Sequence, residues 1–296
     1  MKRIGVIGLG DMGSGIAKNL IKAGFETHGF DLREDRLAAH EEMGGKRSRN
    51  LAEMAQHADS VFVMVLNGNQ AKDAIYGENG VAHGLKPGST IVLTATIKPT
   101  EAREIAGRVH EMGFRIIDTP VSGGFPGAQA GTLTMMAAGS ADLLDEHQDV
   151  LAAVGDKIFR VGENAGDGQT VKACLQALIG SIFTATFEAA VLAAKSGISG
   201  QVVYDVFSAS AAGSKISNNA LEKIIDRKFV GTGSHIGTMY KDLTISMDHA
   251  RDFGVPMFTA AAAMQLFQAG ITKFPGEDNW AVTKVLEEIV GTTVNR

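Results

Sequence analysis

Short apolar runs alternate with amphipathic segments up to about Gly162. The runs are rich in β-branched residues, which is typical of strands, whereas the segments between them repeat their apolar positions at helical spacing. This alternation predicts βαβ units around a mostly parallel sheet. The predicted strands are Arg3–Gly8, Thr27–Asp31, Ser60–Leu66, Thr90–Thr94, Arg115–Asp118, Leu133–Ala138 and Lys157–Val161, and the predicted helices between them include 13–23, 33–43 and 101–112.

No strand pattern follows Gly162. A helix is predicted from Gln169 to about Ser196, roughly 40 Å long at 1.5 Å per residue. It is apolar nearly all round, so it should be buried between other helices, domains or subunits. The fold class is therefore an α/β domain over 1–164 and an all-α domain over 165–296, joined by this long helix. Further helices are predicted at 200–209, 215–227, 238–253, 256–269 and 278–291.

The composition is globular, with 45% hydrophobic and 21% charged residues among 296. A formal net charge of -5 without a Lys/Arg run argues against nucleic-acid binding. The apolar stretch 173–187 is bounded by Lys172 and Glu188 and falls short of a membrane span, and the apolar run before Asp11 is too short for a secretory leader. A cytoplasmic protein without a membrane partner is expected. The single cysteine, Cys174, excludes a multi-cysteine metal site, and its apolar surroundings predict a buried, unreactive thiol.

A G-x-G-x-x-G pattern lies near the N-terminus, in the segment Gly8-Leu9-Gly10-Asp11-Met12-Gly13. It follows a predicted strand and opens a helical pattern, which is the context of a dinucleotide-binding fingerprint. Gly8 permits the tight turn, Gly10 lets a pyrophosphate approach the backbone, and Gly13 lets helix and strand pack closely. The start of the helix then offers free N–H groups to the anion. The alternative is an ordinary glycine-rich turn between a strand and a helix.

Asp31 ends the next predicted strand, 18 residues after Gly13. A carboxylate there is expected to accept hydrogen bonds from the adenosine ribose and to repel a 2′-phosphate, which favours NAD over NADP. Arg33 weakens this preference, because a guanidinium can pair with that phosphate. The alternative role for Asp31 is the N-cap of the helix that follows.

The segment Asp118-Thr119-Pro120-Val121-Ser122-Gly123-Gly124 follows a strand of the predicted sheet. The carboxyl ends of strands in open α/β sheets are where ligands bind. Ser122 offers a hydroxyl, and Gly123 and Gly124 expose N–H groups that can hold a carboxylate. A simple Ser-Gly-Gly loop is the alternative.

Lys172 and Gln176 stand four residues apart at the start of the long apolar helix, so both project from one face. Oxidation of an alcohol by a nicotinamide releases a proton, which requires a positioned base. Burial of a lysine favours its neutral amine, and Lys172 is therefore the predicted acid–base group. Gln176 is expected to hydrogen-bond a substrate hydroxyl or carboxylate. The alternative is a surface lysine in the first helical turn.

Tyr240-Lys241-Asp242-Leu243 opens another predicted helix. Lys241 can close on the cofactor or the substrate, and Asp242 can orient a lysine. An exposed Lys-Asp pair in the first helical turn is the alternative.

Together these segments resemble the β-hydroxyacid dehydrogenase family, which includes 3-hydroxyisobutyrate dehydrogenase, tartronate semialdehyde reductase and L-threonate dehydrogenase. The resemblance covers essentially the whole chain and is specific because four motifs occur in one order and spacing. Most of the family has Asn where this chain has Gln176, a substitution that resembles the L-threonate dehydrogenase branch. The segment Gly213-Ser214-Lys215-Ile216 lacks the aromatic residue that this branch usually carries nearby.

The resemblance implies a Rossmann domain and a helical domain that helps to form homodimers or homotetramers. It implies that Lys172 is the catalytic acid–base and that Ser122, Gly123 and Gly124 hold the substrate carboxylate. It further implies that Thr96 lies beside the nicotinamide and that Lys241 borders the active site. Leu66 and Asn67 match the loop that passes over the cofactor.

These features predict NAD-dependent oxidation of a small anionic hydroxy acid, such as the sugar acid L-threonate. Within the same family, the alternative is an NADPH-dependent semialdehyde reductase working in the opposite direction. An alternative from another class is a nucleotide-sensing module that keeps the fold without chemistry. The presence of Lys172 beside Gln176 speaks against that last reading.

Overall fold

A computed structural model describes residues 2–296 of the chain. It divides into two compact units, of which the first ends at Lys172 and the second begins at Ala173. A continuous helix, Asp167–Lys195, crosses this boundary. The division lies eight residues beyond the boundary predicted from the sequence, because the first turns of this helix group with the α/β unit.

The first unit contains one sheet of nine strands. Their bounds are β1 Arg3–Ile7, β2 Glu26–Phe30, β3 Lys46–Arg47, β4 Ser60–Val63, β5 Thr90–Leu93, β6 Arg115–Asp118, β7 Val121–Ser122, β8 Thr134–Ala138 and β9 Lys157–Gly162. The order β3-β2-β1-β4-β5-β6 is parallel throughout, which is the doubly wound arrangement of a Rossmann fold. Beyond β6, strand β8 runs antiparallel to β6 and β7 and parallel to β9.

Helices cover both faces of the sheet, as alternate residues of one strand show. Val61 and Val63 on β4 face one core with Met54 and Ile105, whereas Phe62 faces the opposite core. The helices of this unit are α1 Asp11–Lys22, α2 Glu34–Glu42, α3 Leu51–His57, α4 Gly68–Tyr76, α5 Pro99–Glu111, α6 Gly124–Ala130, α7 Ala141–Glu146 and α8 Gln148–Val154. Burial on both faces explains why the central strands are apolar at successive positions.

The second unit is helical. Its helices are the long α9 Asp167–Lys195, then α10 Gly200–Ala209, α11 Lys215–Ile225, α12 Ile236–Asp252, α13 Phe258–Lys273 and α14 Val282–Val290. Aromatic rings from three elements form its centre, where Phe183, Phe187, Phe267 and Trp280 lie in mutual contact. Between residues 173 and 296, the only β pairing described is a bridge between His235 and Asp278.

The predicted fold class is confirmed, with errors at the level of single elements. The two-residue strands β3 and β7 were not predicted, and the short helices α3, α4, α6, α7 and α8 received no bounds of their own, because such brief segments show no clear periodicity. The predicted strand at Ser60–Leu66 ends at Val63, since the chain turns there toward α4. The predicted helix at 278–291 begins at Val282, after a 3₁₀ turn.

The long helix α9 corrects two expectations. The apolar stretch of this helix was predicted to fall short of a membrane span. The helix is in fact long and apolar enough to cross a membrane, so its length does not argue against one. Its Phe183, Phe187 and Val191 instead lie in the core of the helical unit, which is typical of a core helix. Cys174 on the same helix is exposed, so the expected buried thiol is wrong.

Phe187 offers a test of this core. The Phe187→Ala variant should lose about 3–5 kcal/mol of unfolding free energy, because the fully buried ring leaves a cavity among aromatic neighbours. Glu188→Ala is the matched control on the same helix, since Glu188 is exposed, and it should change stability by less than about 0.5 kcal/mol. Urea unfolding followed by circular dichroism measures both. Equal losses in the two variants would contradict the assignment of the core.

Candidate active site

One edge of the sheet gathers four of the predicted segments. Strands β1, β4, β5 and β6 are neighbours and parallel, so their carboxyl ends share that edge. The glycine turn follows β1, Leu66 and Asn67 follow β4, Thr96 follows β5, and the Asp118–Gly124 segment follows β6. The sheet order reverses between β1 and β4, and such a switch point opens a ligand crevice.

The glycine turn has the backbone geometry of an anion cradle. Gly8 has φ +86°, and a Cβ there would strike the carbonyl oxygen of Met64. A Cβ on Gly13 would overlap the carbonyl oxygen of Gly8. Helix α1 starts at Asp11 with Gly10 as its N-cap, and no side chain caps it. Its first N–H groups therefore suit a pyrophosphate, and the turn fits a dinucleotide.

Asp31 directly follows β2 and faces the glycine turn. Its Oδ2 accepts a hydrogen bond from the Leu9 N–H at 2.7 Å, and its Oδ1 accepts one from the Arg33 N–H at 2.9 Å. The alternative role of Asp31 as helix N-cap is wrong, since α2 has Arg33 as its N-cap. Two backbone donors thus hold the carboxylate beside the glycine turn.

The loops after β4 and β5 are held by local contacts. Asn67 caps α4, where its side chain accepts a hydrogen bond from the Gln70 N–H at 2.9 Å. The Leu66 N–H donates to the side-chain oxygen of Gln70, and the Leu66 side chain is exposed. Thr96 is half-buried between β5 and α5.

The Ser122 segment is more ordered than a simple loop. Ser122 belongs to β7 and is half-buried, while Gly123 has φ +136° and Gly124, with φ +59°, begins α6. Both glycines are exposed and adopt conformations that disfavour other residues. Helix α6 lies against α1, where the Asn19 amide donates to the Ala128 carbonyl at 2.8 Å. This contact couples the Ser122 segment to the helix of the glycine turn.

A buried network that sequence reasoning did not identify holds the start of α9. The Asp118 carboxylate is fully buried and accepts hydrogen bonds from Gly166 N–H at 2.8 Å and from the Gln169 side-chain amide at 2.8 Å. The same amide donates to the Ala95 carbonyl at 3.0 Å, and its oxygen accepts from the Ile97 N–H at 3.1 Å. Gln169 thus joins α9 to both neighbours of Thr96. The sequence signal that could have revealed this network was Asp118 itself, an acidic residue at the end of an apolar strand.

Lys172 lies one turn after Gln169. The residue is only 6% exposed, so the alternative of a solvent-facing lysine is wrong. Gln176, one turn further, is buried as well. The two side chains share a face of α9 as the spacing predicted.

In the helical unit, Asp242 orients Gln176. The Gln176 Nε2 donates to Asp242 Oδ2 at 2.6 Å, and the Lys241 ammonium lies 2.8 Å from Asp242 Oδ1. The Asp242 side chain is buried, so the Lys-Asp pair is not the exposed pair of the alternative. A carboxylate only accepts hydrogen bonds, which settles that the amide nitrogen of Gln176 faces Asp242. The amide nitrogen also lies 3.8 Å from the Met239 sulfur as a second partner, which leaves the amide oxygen as the group that Gln176 can offer to a ligand.

Comparisons with known proteins agree with this architecture. Residues 3–162 match the family model of the NAD-binding domain of 6-phosphogluconate dehydrogenase, and residues 166–286 match that for NAD-binding of NADP-dependent 3-hydroxyisobutyrate dehydrogenase. An L-threonate dehydrogenase of Cupriavidus necator is 36% identical over 289 residues, which cover 97% of both chains. A 2-(hydroxymethyl)glutarate dehydrogenase of Eubacterium barkeri is 33% identical and covers 99% of this chain and 97% of its own. The crystal structure of a 3-hydroxyisobutyrate dehydrogenase from Salmonella typhimurium has a TM-score of 0.89 at 33% identity, covering 96% of this chain and 100% of the other.

The sheet, the glycine turn and these matches define an oxidoreductase that acts on CH–OH groups with NAD or NADP. The chain belongs to the 3-hydroxyisobutyrate dehydrogenase family of β-hydroxyacid dehydrogenases. The predicted family and the predicted nicotinamide cofactor are thereby confirmed, and the protein is a hydroxy acid dehydrogenase. The roles of individual side chains stay predictions.

Asp118 supplies a pH-dependent test of the buried network. Burial raises the pKa of Asp118 from its ordinary value of 3.8 to about 6, against the opposing effect of its hydrogen bonds from Gln169 and Gly166. The folded state therefore binds this proton more tightly than the unfolded state. Raising the pH from about 4 to about 6 should therefore lower the free energy of unfolding by about 2 kcal/mol, because the folded state keeps this proton over most of the range whereas the unfolded state has lost it.

The measurement compares urea unfolding of the wild type and Asp118→Asn at several pH values. The other titrating groups contribute equally to both proteins and cancel in the difference. The free energy of unfolding of the wild type, minus that of the variant, should therefore fall as the pH rises across this range. A difference that is independent of pH would show that Asp118 titrates as it does in the unfolded chain.

Proposed function

We propose that the protein oxidises a hydroxyl of a small sugar acid such as L-threonate, with NAD as the acceptor and Lys172 as the acid–base group. The observation that carries this proposal is the buried amine of Lys172, on a helix that Gln169 ties to the sheet edge bearing the glycine turn. The name of the relative that is 36% identical supports the choice of L-threonate.

Lys172 handles the proton of the reaction. The nicotinamide of a bound cofactor supplies the hydride chemistry. The neutral amine of Lys172 accepts the proton of the substrate hydroxyl during oxidation and returns it during reduction. The products are an oxo acid, the reduced cofactor and the ammonium form of Lys172. Burial of the side chain keeps bulk water from competing as the proton acceptor.

The Ser122 segment is the proposed holder of the substrate carboxylate. The Ser122 hydroxyl and the N–H groups of Gly123 and Gly124 are donors, and donors to a carboxylate form charge-assisted hydrogen bonds. The exposed glycines allow close approach of a small ligand. Lys241 adds a positive charge in a protein whose net charge is -5 and therefore repels anions on average.

Gln176 is proposed to accept a hydrogen bond from a further hydroxyl of the substrate. Its amide nitrogen has Asp242 and the Met239 sulfur as partners, so its oxygen is the group left to accept a hydrogen bond from a ligand. A substrate carboxylate has no proton to donate, whereas a hydroxyl has one. Of the two ligands that the sequence left open for Gln176, the geometry favours the hydroxyl.

The Lys172→Ala variant tests the acid–base proposal. Its kcat for NADH formation from L-threonate should fall about 10²–10⁴-fold, the usual contribution of a positioned general base. Binding of ADP-ribose should stay within about threefold of wild type, because the glycine turn is unchanged. Lys195→Ala is the control on the same helix, since Lys195 is exposed. Near-normal turnover in Lys172→Ala would overturn the mechanism.

The Gln176→Met variant tests the proposed hydrogen bond between Gln176 and a substrate hydroxyl. The ratio of kcat/KM for L-threonate to that for its 4-deoxy analogue should fall about tenfold, since methionine keeps the shape but loses the acceptor oxygen. A ratio is used because partial loss of folded enzyme affects both substrates equally. An unchanged ratio would show that Gln176 does not contact that hydroxyl.

We also propose that the enzyme works in the cytoplasm as a homodimer or homotetramer. Exposed apolar side chains on two helices of the second unit support this, since such patches mark interaction sites. They are Leu178 and Leu192 on α9 and Val202 and Val206 on α10.

A further inference from the structure

Arg36 is a cation at the dinucleotide turn that sequence reasoning overlooked. It lies in the first turn of α2, and its Nη1 is 3.6 Å from Asp31 Oδ2. The same Nη1 is 2.9 Å from the position where a Cβ on Gly10 would stand. The guanidinium therefore lies directly against the turn that fits the cofactor, and its side chain is 34% exposed, so it is open to a ligand.

Arg33, the cation that the sequence suggested, is engaged elsewhere. Its guanidinium holds Asp35 through two hydrogen bonds, 3.0 Å and 2.6 Å long. Both side chains of that pair are largely exposed. Arg33 contributes to Asp31 only through its backbone N–H, which any residue except proline would supply.

The charge balance around Asp31 follows from these contacts. The Asp31 carboxylate alone would repel the 2′-phosphate that distinguishes NADP from NAD. Arg36 beside it offsets that negative charge and brings donors that suit a phosphate. The side chain of Asp31 is nearly buried, so its interaction with Arg36 is screened less by salt than an exposed pair would be.

We propose that Arg36 is a cofactor-specificity residue, whose guanidinium pairs with a phosphate on the adenosine ribose and lets this enzyme accept NADP as well as NAD. The proposal rests on the placement of the dinucleotide at the glycine turn in the proposed function. It assigns to Arg36 the role that the sequence alone would give to Arg33.

Calorimetric titration tests the proposal without any turnover. The ligands are ADP-ribose and 2′-phospho-ADP-ribose, which lack the nicotinamide, and the proteins are wild type, Arg36→Ala and the matched control Arg33→Ala. Wild type should bind the two ligands within about tenfold of each other. Arg36→Ala should weaken the 2′-phosphorylated ligand about 10–100-fold and ADP-ribose less than about threefold. Arg33→Ala should change neither by more than about threefold.

Three results would overturn the proposal. Equal weakening of both ligands in Arg36→Ala would place Arg36 on the pyrophosphate instead. Loss of the 2′-phosphorylated ligand in Arg33→Ala alone would return the role to Arg33. Wild-type discrimination against that ligand by more than about 100-fold would exclude tolerance of NADP.

Two further measurements separate causes. Arg36→Gln replaces Arg36→Ala in the titrations if thermal unfolding shows that the alanine variant folds poorly. It should then show the ligand selectivity that is expected of Arg36→Ala. Failure of wild type to bind ADP-ribose at all would contradict the dinucleotide site itself. In contrast, normal ADP-ribose binding with normal turnover in Lys172→Ala would contradict only the proposed mechanism.

Discussion

The buried carboxylate of Asp118 is the constraint on which the site depends. A charge removed from water must be met by donors, and here they come from the first turn of α9 and from the Gln169 amide. Gln169 in turn satisfies the backbone on both sides of Thr96. Because each of these partners would be costly to leave unpaired, the first turns of α9, which carry Lys172, are held against the sheet edge.

The dinucleotide turn follows a similar rule of close contact. Gly8 has a positive φ, and neither Gly8 nor Gly13 has space for a side chain. The first N–H groups of α1 can therefore bind an anion directly. Asp31 and Arg36 set the charge beside this anion-binding turn. In our proposal, the balance of this carboxylate and this guanidinium sets the cofactor preference.

Asp242 fixes the orientation of the Gln176 amide. A carboxylate accepts but never donates, so its contact with Gln176 decides which end of the amide is offered to a ligand. Our proposal that Gln176 binds a substrate hydroxyl rests on this orientation, because an amide oxygen only accepts hydrogen bonds.

The sequence by itself determined the α/β order, the helical second half, the glycine turn and the family, because these depend on local periodicity and on motifs of fixed spacing. The spacing of Lys172 and Gln176 likewise predicted their shared face. Only the tertiary structure decided that Lys172 is buried, that Cys174 is exposed, and that Arg36 rather than Arg33 lies at the turn. Such facts depend on side chains brought together from distant or differently directed parts of the chain, and periodicity carries no information about those contacts.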